Sequence, residues 1–158
     1  MKTFIQLYLL SLGLLFAFFY APINPLAVLI NRYQTDLTLY LLGLFLEPGQ
    51  LHGIDIWINP HYKIIINQAC NGLIPVFFLW AAIIAYPSSF AHKLFWMITG
   101  YVAFVIVNTF RILTVVHFTQ QEGGQGNFYW SHDLLGNILL TVTGLLLFIV
   151  FIQGSRKK

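Results

Sequence analysis

Long apolar runs constrain the fold of this sequence more than any other feature. Four of them lie at residues 4–20, 72–86, 94–118 and 134–152. A transmembrane helix needs about 20 mostly apolar residues, so the run at 72–86 crosses a bilayer only with local thinning, and the others are long enough or nearly so. Charged residues make up 8% of the chain, against about 25% in soluble domains. We therefore expect an all-α integral membrane protein with about four transmembrane helices in a single membrane domain.

Two smaller features lie in the segment 21–69. The apolar stretch 37–46 is too short to cross a bilayer and is expected to form a short fifth helix that is interfacial or re-entrant. Further on, the strings IDIWI and YKIII flank a turn that contains Pro60, and isoleucines alternate with polar or aromatic residues there. Alternation with a period of two predicts half-buried strands. This small extracytoplasmic segment is therefore expected to contain a β-hairpin.

Lysine and arginine residues predict the orientation of the spans. With the N-terminus inside, five basic residues are cytoplasmic, two are outside and one lies within a span. This distribution follows the positive-inside rule. It places the segment 21–69 and the loop 119–131 outside, and the basic tail 153–158 in the cytoplasm. The tail supplies most of the net charge of +3, which suits an anionic membrane surface rather than nucleic acid.

The first apolar run has some features of a signal peptide. Lys2 supplies a positive start, but the run is long, and no cleavage site of the A-x-A type follows it. A retained membrane anchor is therefore favoured over a cleaved leader.

Arg111 is the most informative residue of the sequence, because it is surrounded by apolar residues within the third run. An arginine at the centre of a span costs about 2.5–3.5 kcal/mol on insertion scales, and such residues usually serve a function. Asn108, three residues earlier on the same helical face, is expected to orient the guanidinium. The alternative interpretation is a packing arginine held by a backbone carbonyl.

Cys70 is the only cysteine of the chain and lies where a polar segment gives way to the second apolar run. It is therefore expected at the outer membrane boundary, near the N-terminus of a helix, where thiolate is stabilised. Asn71 and the glycine after it remove bulk and would let a substrate backbone approach. Taken alone, a cysteine in this position is more often a packing residue.

His132 begins the last span, again at the outer boundary, and Asp133 beside it could orient the imidazole. A lone histidine here also fits an interfacial polar residue. However, three spans place Cys70, Arg111 and His132 at similar depth on one side of the membrane. Covalent catalysis needs a nucleophile, a proton-transfer partner and a group that stabilises negative charge, and these three residue types supply them.

The other histidines fit catalysis less well. His117 lies six residues beyond Arg111 and about 120° away around the helix, so it is a reserve candidate. His52 and His61 lie in the outer segment without the spacing of a metal site, which needs three or four ligands. No metal and no other cofactor is expected.

At these residues the sequence resembles the exosortase/archaeosortase family of membrane-embedded transpeptidase-like enzymes. The resemblance rests on ACNGL at 69–73, NTFRI at 108–112 and SHDLLGN at 131–137. Each motif is weak alone, but the three occur in order and on the same predicted membrane face. The resemblance covers about residues 64–152.

The resemblance implies that Cys70, Arg111 and His132 are the catalytic cysteine, arginine and histidine, with Asn71, Asn108 and Asp133 in support. It implies a cysteine protease or transpeptidase of the inner membrane that acts at the outer face through a thioester on the cysteine. The implied substrates are exported proteins that end in a sorting motif, a transmembrane helix and a basic tail. The acyl group is passed to an acceptor.

The sequence departs from the family in two respects. Asn71 stands where serine is more frequent, and the chain is shorter than many members, which have about twice as many spans. The main alternative is a non-catalytic membrane protein, either an assembly subunit or a small carrier, that uses Arg111 to bind an anion or to form an ion pair. A carrier would be expected to show repeated halves or broken helices, and the sequence shows neither.

Overall fold

The computed structural model describes residues 2–121 and 136–156, in which five α-helices, one short 3-10 helix and one small sheet are formed. The helices are α1 (Lys2–Phe19), α2 (Pro25–Gly43), α3 (Leu73–Ala85), α4 (Phe90–Gln121) and α5 (Gly136–Arg156). The strands are β1 (Leu51–His52), β2 (Asp55–Asn59) and β3 (Tyr62–Ile65), and the 3-10 helix is Gln68–Cys70. The expected fold class, a helical membrane protein with a small β-hairpin, is confirmed.

Three of the described helices, α1, α4 and α5, are long and apolar enough to cross a membrane. They correspond to the first, third and fourth apolar runs of the sequence. The second run forms α3, which is apolar but has only 13 residues. It begins where the chain leaves the 3-10 helix, so the polarity change at Cys70 coincides with the start of a helix.

Helix α2 differs from the short piece expected at 37–46: it begins twelve residues earlier and ends at Gly43. The helix begins at Pro25, whose fixed φ suits a first helical position. The side chain of Asn24 accepts a hydrogen bond from Leu26 N at 3.0 Å and so caps the helix. Its buried face is a stripe at helical spacing in which three of five residues are polar. These residues are Ala27, Asn31, Gln34, Thr38 and Leu42.

The predicted hairpin is confirmed as the antiparallel pair β2–β3, and β1 adds a third strand on the other side of β2. Ile56 and Ile64 face each other across the pair and are buried. They pack in a cluster with Leu42 of α2 and with Ile112 and neighbouring valines of α4. The sheet is therefore fastened to one end of the helix bundle, which we call the sheet end.

The opposite end of the bundle, which we call the far end, has a core that includes buried aromatic side chains. There α3, α4 and α5 enclose an aliphatic and aromatic cluster of buried residues. Its members are Val76, Leu79, Ile83, Phe104, Leu140 and Phe151. Because α3 runs away from the sheet end and α4 returns to it, the two ends share the same two helices.

Candidate active site

Cys70 ends the 3-10 helix and is half-buried against the sheet-end cluster. Asn67 starts this helix: its Oδ1 accepts a hydrogen bond from Ala69 N at 2.9 Å, and its carbonyl accepts one from Cys70 N at 2.9 Å. The peptide on the N-terminal side of Cys70 is thus fixed locally.

The residues after Cys70 form a tight turn into α3. Gly72 has φ +80°, a left-handed conformation that favours glycine. A Cβ at this position would lie 3.0 Å from Asn108 Cγ, so the close approach of α4 also requires glycine. Asn71 is fully buried, and its Oδ1 accepts a hydrogen bond from Leu73 N at 3.1 Å. The side chain therefore satisfies a backbone N–H at the start of α3.

Asn108 connects Cys70 with Arg111. Its Nδ2 donates to the Cys70 carbonyl at 2.8 Å, and its Oδ1 accepts a long hydrogen bond from Arg111 Nη1 at 3.4 Å. Asn108 is 1% exposed and Arg111 is 6% exposed, so both interactions are shielded from water. In a medium of low dielectric such interactions are stronger than in water. The arginine is thus buried at the same end of the bundle as the thiol.

The first residue of α5 lies against the Arg111 side chain. A Cβ added at Gly136 would overlap Arg111 Nε and lie 3.1 Å from Arg111 Cδ. Glycine at this position therefore lets the start of α5 approach the guanidinium. His132 and Asp133, the candidates predicted from the sequence of this region, lie outside the described residues.

Buried side-chain amides surround the cysteine, and the sequence patterns did not predict them as a set. We call this set the amide network. Its members are Asn31, Gln34, Asn71 and Asn108. The first two come from α2, and all four are at least nine-tenths buried. Gln34 Nε2 donates to the Asn71 carbonyl at 3.0 Å, and Asn71 Nδ2 donates to Asn31 Oδ1 at 3.1 Å. The signal available in the sequence was the spacing of Asn31, Gln34 and Thr38, which puts polar side chains on the same face as Ala27 and Leu42.

Tyr20, one residue beyond α1, completes the surroundings of the thiol. Its carbonyl accepts a hydrogen bond from Gln68 Nε2 at 2.9 Å, which ties the end of α1 to the 3-10 helix. This bond holds the end of α1 next to the 3-10 helix that ends at Cys70.

Three other histidines, the reserve candidate His117 and the outer residues His52 and His61, are exposed. His117 lies on α4, and His52 and His61 lie in and near the sheet. Within residues 2–121 and 136–156, no group of three or more His, Cys, Asp or Glu residues is arranged to hold a metal ion.

An apolar cavity of about 540 Å³ opens beside the site, between α1, α3 and α5. It begins at Ile74 and Asn137, next to the turn after Cys70 and the start of α5, and it descends to Ala82 and Phe148. Its α5 wall combines Leu140, Leu145 and Phe148 with the smaller residues Thr141 and Gly144. The cavity thus leads from the middle of the bundle to the level of Arg111.

Comparisons with known proteins identify one family. No curated protein and no solved structure gives a significant match to the chain. The family model of transmembrane exosortases (Exosortase_EpsH) matches residues 3–149, which is nearly the whole sequence. The match includes all five helices except the last residues of α5. On this match, the chain belongs to the transmembrane exosortase family and is a multi-pass membrane protein.

Proposed function

We propose that the protein is a cysteine transpeptidase or protease that cleaves the C-terminal sorting signals of exported proteins. The observation that carries the proposal is the bridge made by Asn108 between the Cys70 carbonyl and the Arg111 guanidinium. The Cys70 backbone, a buried cation and the turn into a helix come together there, and membership of the family supports a reaction of this class. A merely packed thiol gives no reason to bury an arginine at the same place, because a buried charge is costly.

In the proposed first step, Cys70 Sγ attacks the carbonyl carbon of the scissile peptide. His132 takes the thiol proton and gives it to the leaving amine. Arg111 stabilises the negative charge that develops on the carbonyl oxygen, as donors of an oxyanion hole do. The C–N bond breaks, the C-terminal fragment leaves as an amine, and the substrate acyl group remains on Cys70 as a thioester.

In the second step, an acceptor with an amine or hydroxyl group attacks the thioester. His132 takes the proton of the acceptor, the C–S bond breaks and Cys70 regains its proton. Water in place of the acceptor gives hydrolysis. Chain length permits these roles for His132, because the four Cα–Cα steps between it and Gly136 span at most about 14 Å.

The apolar cavity beside the site suits the transmembrane segment of such a substrate. A helix that lies in this groove, against α3 and α5, would bring its membrane-boundary end to Asn137 and Arg111. The short side chains at Thr141 and Gly144 permit close approach of another helix, as small residues do in membrane interfaces. We further propose that the site faces the outer side of the inner membrane, with both termini of the chain in the cytoplasm, as the distribution of basic residues predicts.

The test compares cells that produce the wild type, Cys70→Ala or His61→Ala, the last being an exposed residue away from the site. The measurement is mass spectrometry of the C-termini of exported proteins that end in an apolar helix and a basic tail. We expect trimmed C-termini with the wild type and with His61→Ala, and none with Cys70→Ala at equal membrane abundance. Full trimming by Cys70→Ala would show that the cysteine is not the nucleophile.

A further inference from the structure

We propose that Gln34 of α2 is a positioning residue for the nucleophile, which it holds through Asn71, and that Tyr101 of α4 orients Gln34. This inference rests on the proposed function, because it treats Cys70 as the reacting group. It adds to the site a helix that contributes no residue to the three sequence motifs.

The hydrogen bonds of Gln34 fix its amide in one orientation. The Asn71 carbonyl can only accept a hydrogen bond, so Gln34 Nε2 must face it, at 3.0 Å. Gln34 Oε1 then faces Tyr101 and accepts a hydrogen bond from its hydroxyl at 2.6 Å. Gln34 is 6% exposed, so water does not compete for these bonds. The donor and the acceptor are therefore fixed in both hydrogen bonds, from Tyr101 to Gln34 and from Gln34 to Asn71.

The Asn71 side chain is held from the same helix. Its Nδ2 donates to Asn31 Oδ1 at 3.1 Å, and Asn31 Nδ2 in turn donates to the carbonyls of Phe19 and Ala27, at 2.9 and 2.8 Å. One turn of α2 therefore holds both the backbone and the side chain of the residue that follows the cysteine.

The need for such support follows from the backbone next to Asn71. Gly72 is the most permissive point of the turn, because glycine populates left-handed and right-handed conformations about equally. Because peptide bonds are planar, each residue has only two soft backbone dihedral angles, φ and ψ. Asn108 holds the Cys70 carbonyl from α4, and Gln34 holds the Asn71 carbonyl from α2. The two successive peptide planes that follow Cys70 are thus fixed from two different helices, and this limits how far the Cys70 backbone can move.

Packing alone does not account for glutamine at this position. The buried stripe of α2 also contains Ala27 and Leu42, and an apolar residue at 34 would fill the same space without the cost of burying an amide. What an apolar residue cannot supply is the donor to the Asn71 carbonyl. The directional bond is therefore the specific contribution of Gln34.

The first test measures kcat and KM for the purified full chain in detergent, with an exported protein whose trimming is lost in Cys70→Ala. Gln34→Met keeps the length of the side chain and removes both hydrogen bonds. We expect its kcat per folded molecule to fall about 10- to 100-fold, the range for a catalytic group displaced by about 1 Å, with KM unchanged. Tyr101→Phe, which removes only the orienting hydroxyl, should lower kcat less.

The matched control is Thr38→Val, one turn further along α2. Thr38 is 3% exposed, and its hydroxyl donates within its own helix, to the Gln34 carbonyl at 2.9 Å. It tests whether loss of any buried hydrogen bond of α2 lowers the rate. We expect kcat within about twofold of the wild type, because the side-chain amide of Gln34 keeps both of its hydrogen bonds and its carbonyl keeps the backbone bond of the helix.

A second variant gives a readout that a loss of stability does not produce. In Gln34→Glu the protonated carboxyl group can donate to the Asn71 carbonyl and accept from Tyr101, whereas the carboxylate cannot donate. Burial raises the pKa of a carboxyl group, so the rate relative to the wild type should rise as the pH falls through that pKa. The same ratio for Gln34→Met should be independent of pH.

The outcomes separate this inference from the proposed function. If Cys70→Ala abolishes cleavage but Gln34→Met retains the wild-type kcat, the positioning role of Gln34 is wrong and the nucleophile stands. If Cys70→Ala still cleaves, the proposed function fails and the role of Gln34 with it. If Gln34→Met does not fold, the test is the rate of Gln34→Glu relative to the wild type. A relative rate that does not change with pH contradicts the inference.

Discussion

The sheet end and the far end of the bundle each have an apolar cluster, but among the described residues the sheet end adds a network of buried amides. At the far end, Phe151 stacks on His92 with ring centroids 5.1 Å apart and meets Tyr86 edge-on at 5.5 Å. At the sheet end, the amide network joins α2, the turn after Cys70 and α4 through hydrogen bonds of 2.8–3.1 Å between side-chain amides and carbonyl oxygens.

This contrast indicates which contacts determine the stability of the fold and which determine the geometry of the candidate site. Apolar contacts are not directional and tolerate changes of shape when volume is kept. Hydrogen bonds between buried amides are directional, and they leave costly unsatisfied groups when one partner is removed. We therefore expect changes at the far end to lower stability, and changes at the sheet end to lower the rate of cleavage.

Among variants that keep Cys70, the largest expected effect on cleavage is that of Arg111→Gln. Removal of one donor to an oxyanion typically lowers kcat about 100- to 1000-fold, and the variant also loses the charge. The control is Lys93→Gln, a basic residue at the start of the same helix whose Nζ donates to the Ile84 carbonyl at 2.7 Å. We expect near wild-type cleavage for Lys93→Gln at matched membrane abundance. Equal losses in the two variants would mean that the charge of α4 matters only for insertion.

A second, smaller effect is expected for Gly136→Ala, since its Cβ would overlap Arg111 Nε and force the guanidinium to move. A displacement of about 1 Å can lower the rate about 100-fold. Gly13→Ala on α1 is the matched control, because a Cβ there meets no atom within 4 Å. Cleavage rates of the purified variants provide the measurement. Wild-type activity of Gly136→Ala would show that the position of Arg111 against α5 is unimportant.

A third effect is expected in the apolar cavity, where Thr141→Phe would fill space that we assign to the substrate helix. We expect KM to rise several-fold while kcat changes little, because the change affects binding and leaves the reacting groups in place. Val142→Phe, on the adjacent exposed position of α5 outside the cavity lining, is the control. An equal rise of KM in both variants would argue against the cavity as the docking place.

The smallest effect on cleavage is expected for Phe151→Ala, although its effect on stability should be large. Truncation of a buried phenylalanine costs about 3–5 kcal/mol in soluble cores, and Phe151 is fully buried. Thermal unfolding in detergent should shift to lower temperature, whereas kcat per folded molecule should stay unchanged. A loss of kcat at temperatures where the variant is folded would contradict the expectation that changes at the far end affect only stability.

Much of the fold could be predicted from the sequence. Apolar runs of sufficient length predict spans because lipid leaves few alternatives, and the alternating isoleucines around Pro60 predicted the hairpin. The helix α2 could not be recognised in full, because its buried stripe is mostly polar and such residues normally indicate an exposed segment. Its start was nevertheless marked by Asn24 and Pro25, a cap followed by a proline at the first helical position.

The candidate site was predictable only in part. The spacing of Asn108 and Arg111 puts them on one helical face, and they are hydrogen-bonded to each other in the structure. By contrast, the contact of Gly136 with Arg111 and the bond of Gln34 to Asn71 join residues from different helices. Such contacts depend on how helices pack, which local sequence patterns do not specify. The catalytic roles of Cys70, Arg111 and His132 remain proposals.

The most direct test of the account is to look for the thioester itself. Purified wild-type protein is mixed with an exported substrate, quenched in acid during turnover, digested and analysed by mass spectrometry. The account predicts that the peptide containing Cys70, the only cysteine of the chain, carries the acyl fragment of the substrate and loses it on treatment with neutral hydroxylamine. Cleavage of the substrate at the wild-type rate by Cys70→Ala, with no adduct on the wild-type peptide, would contradict it.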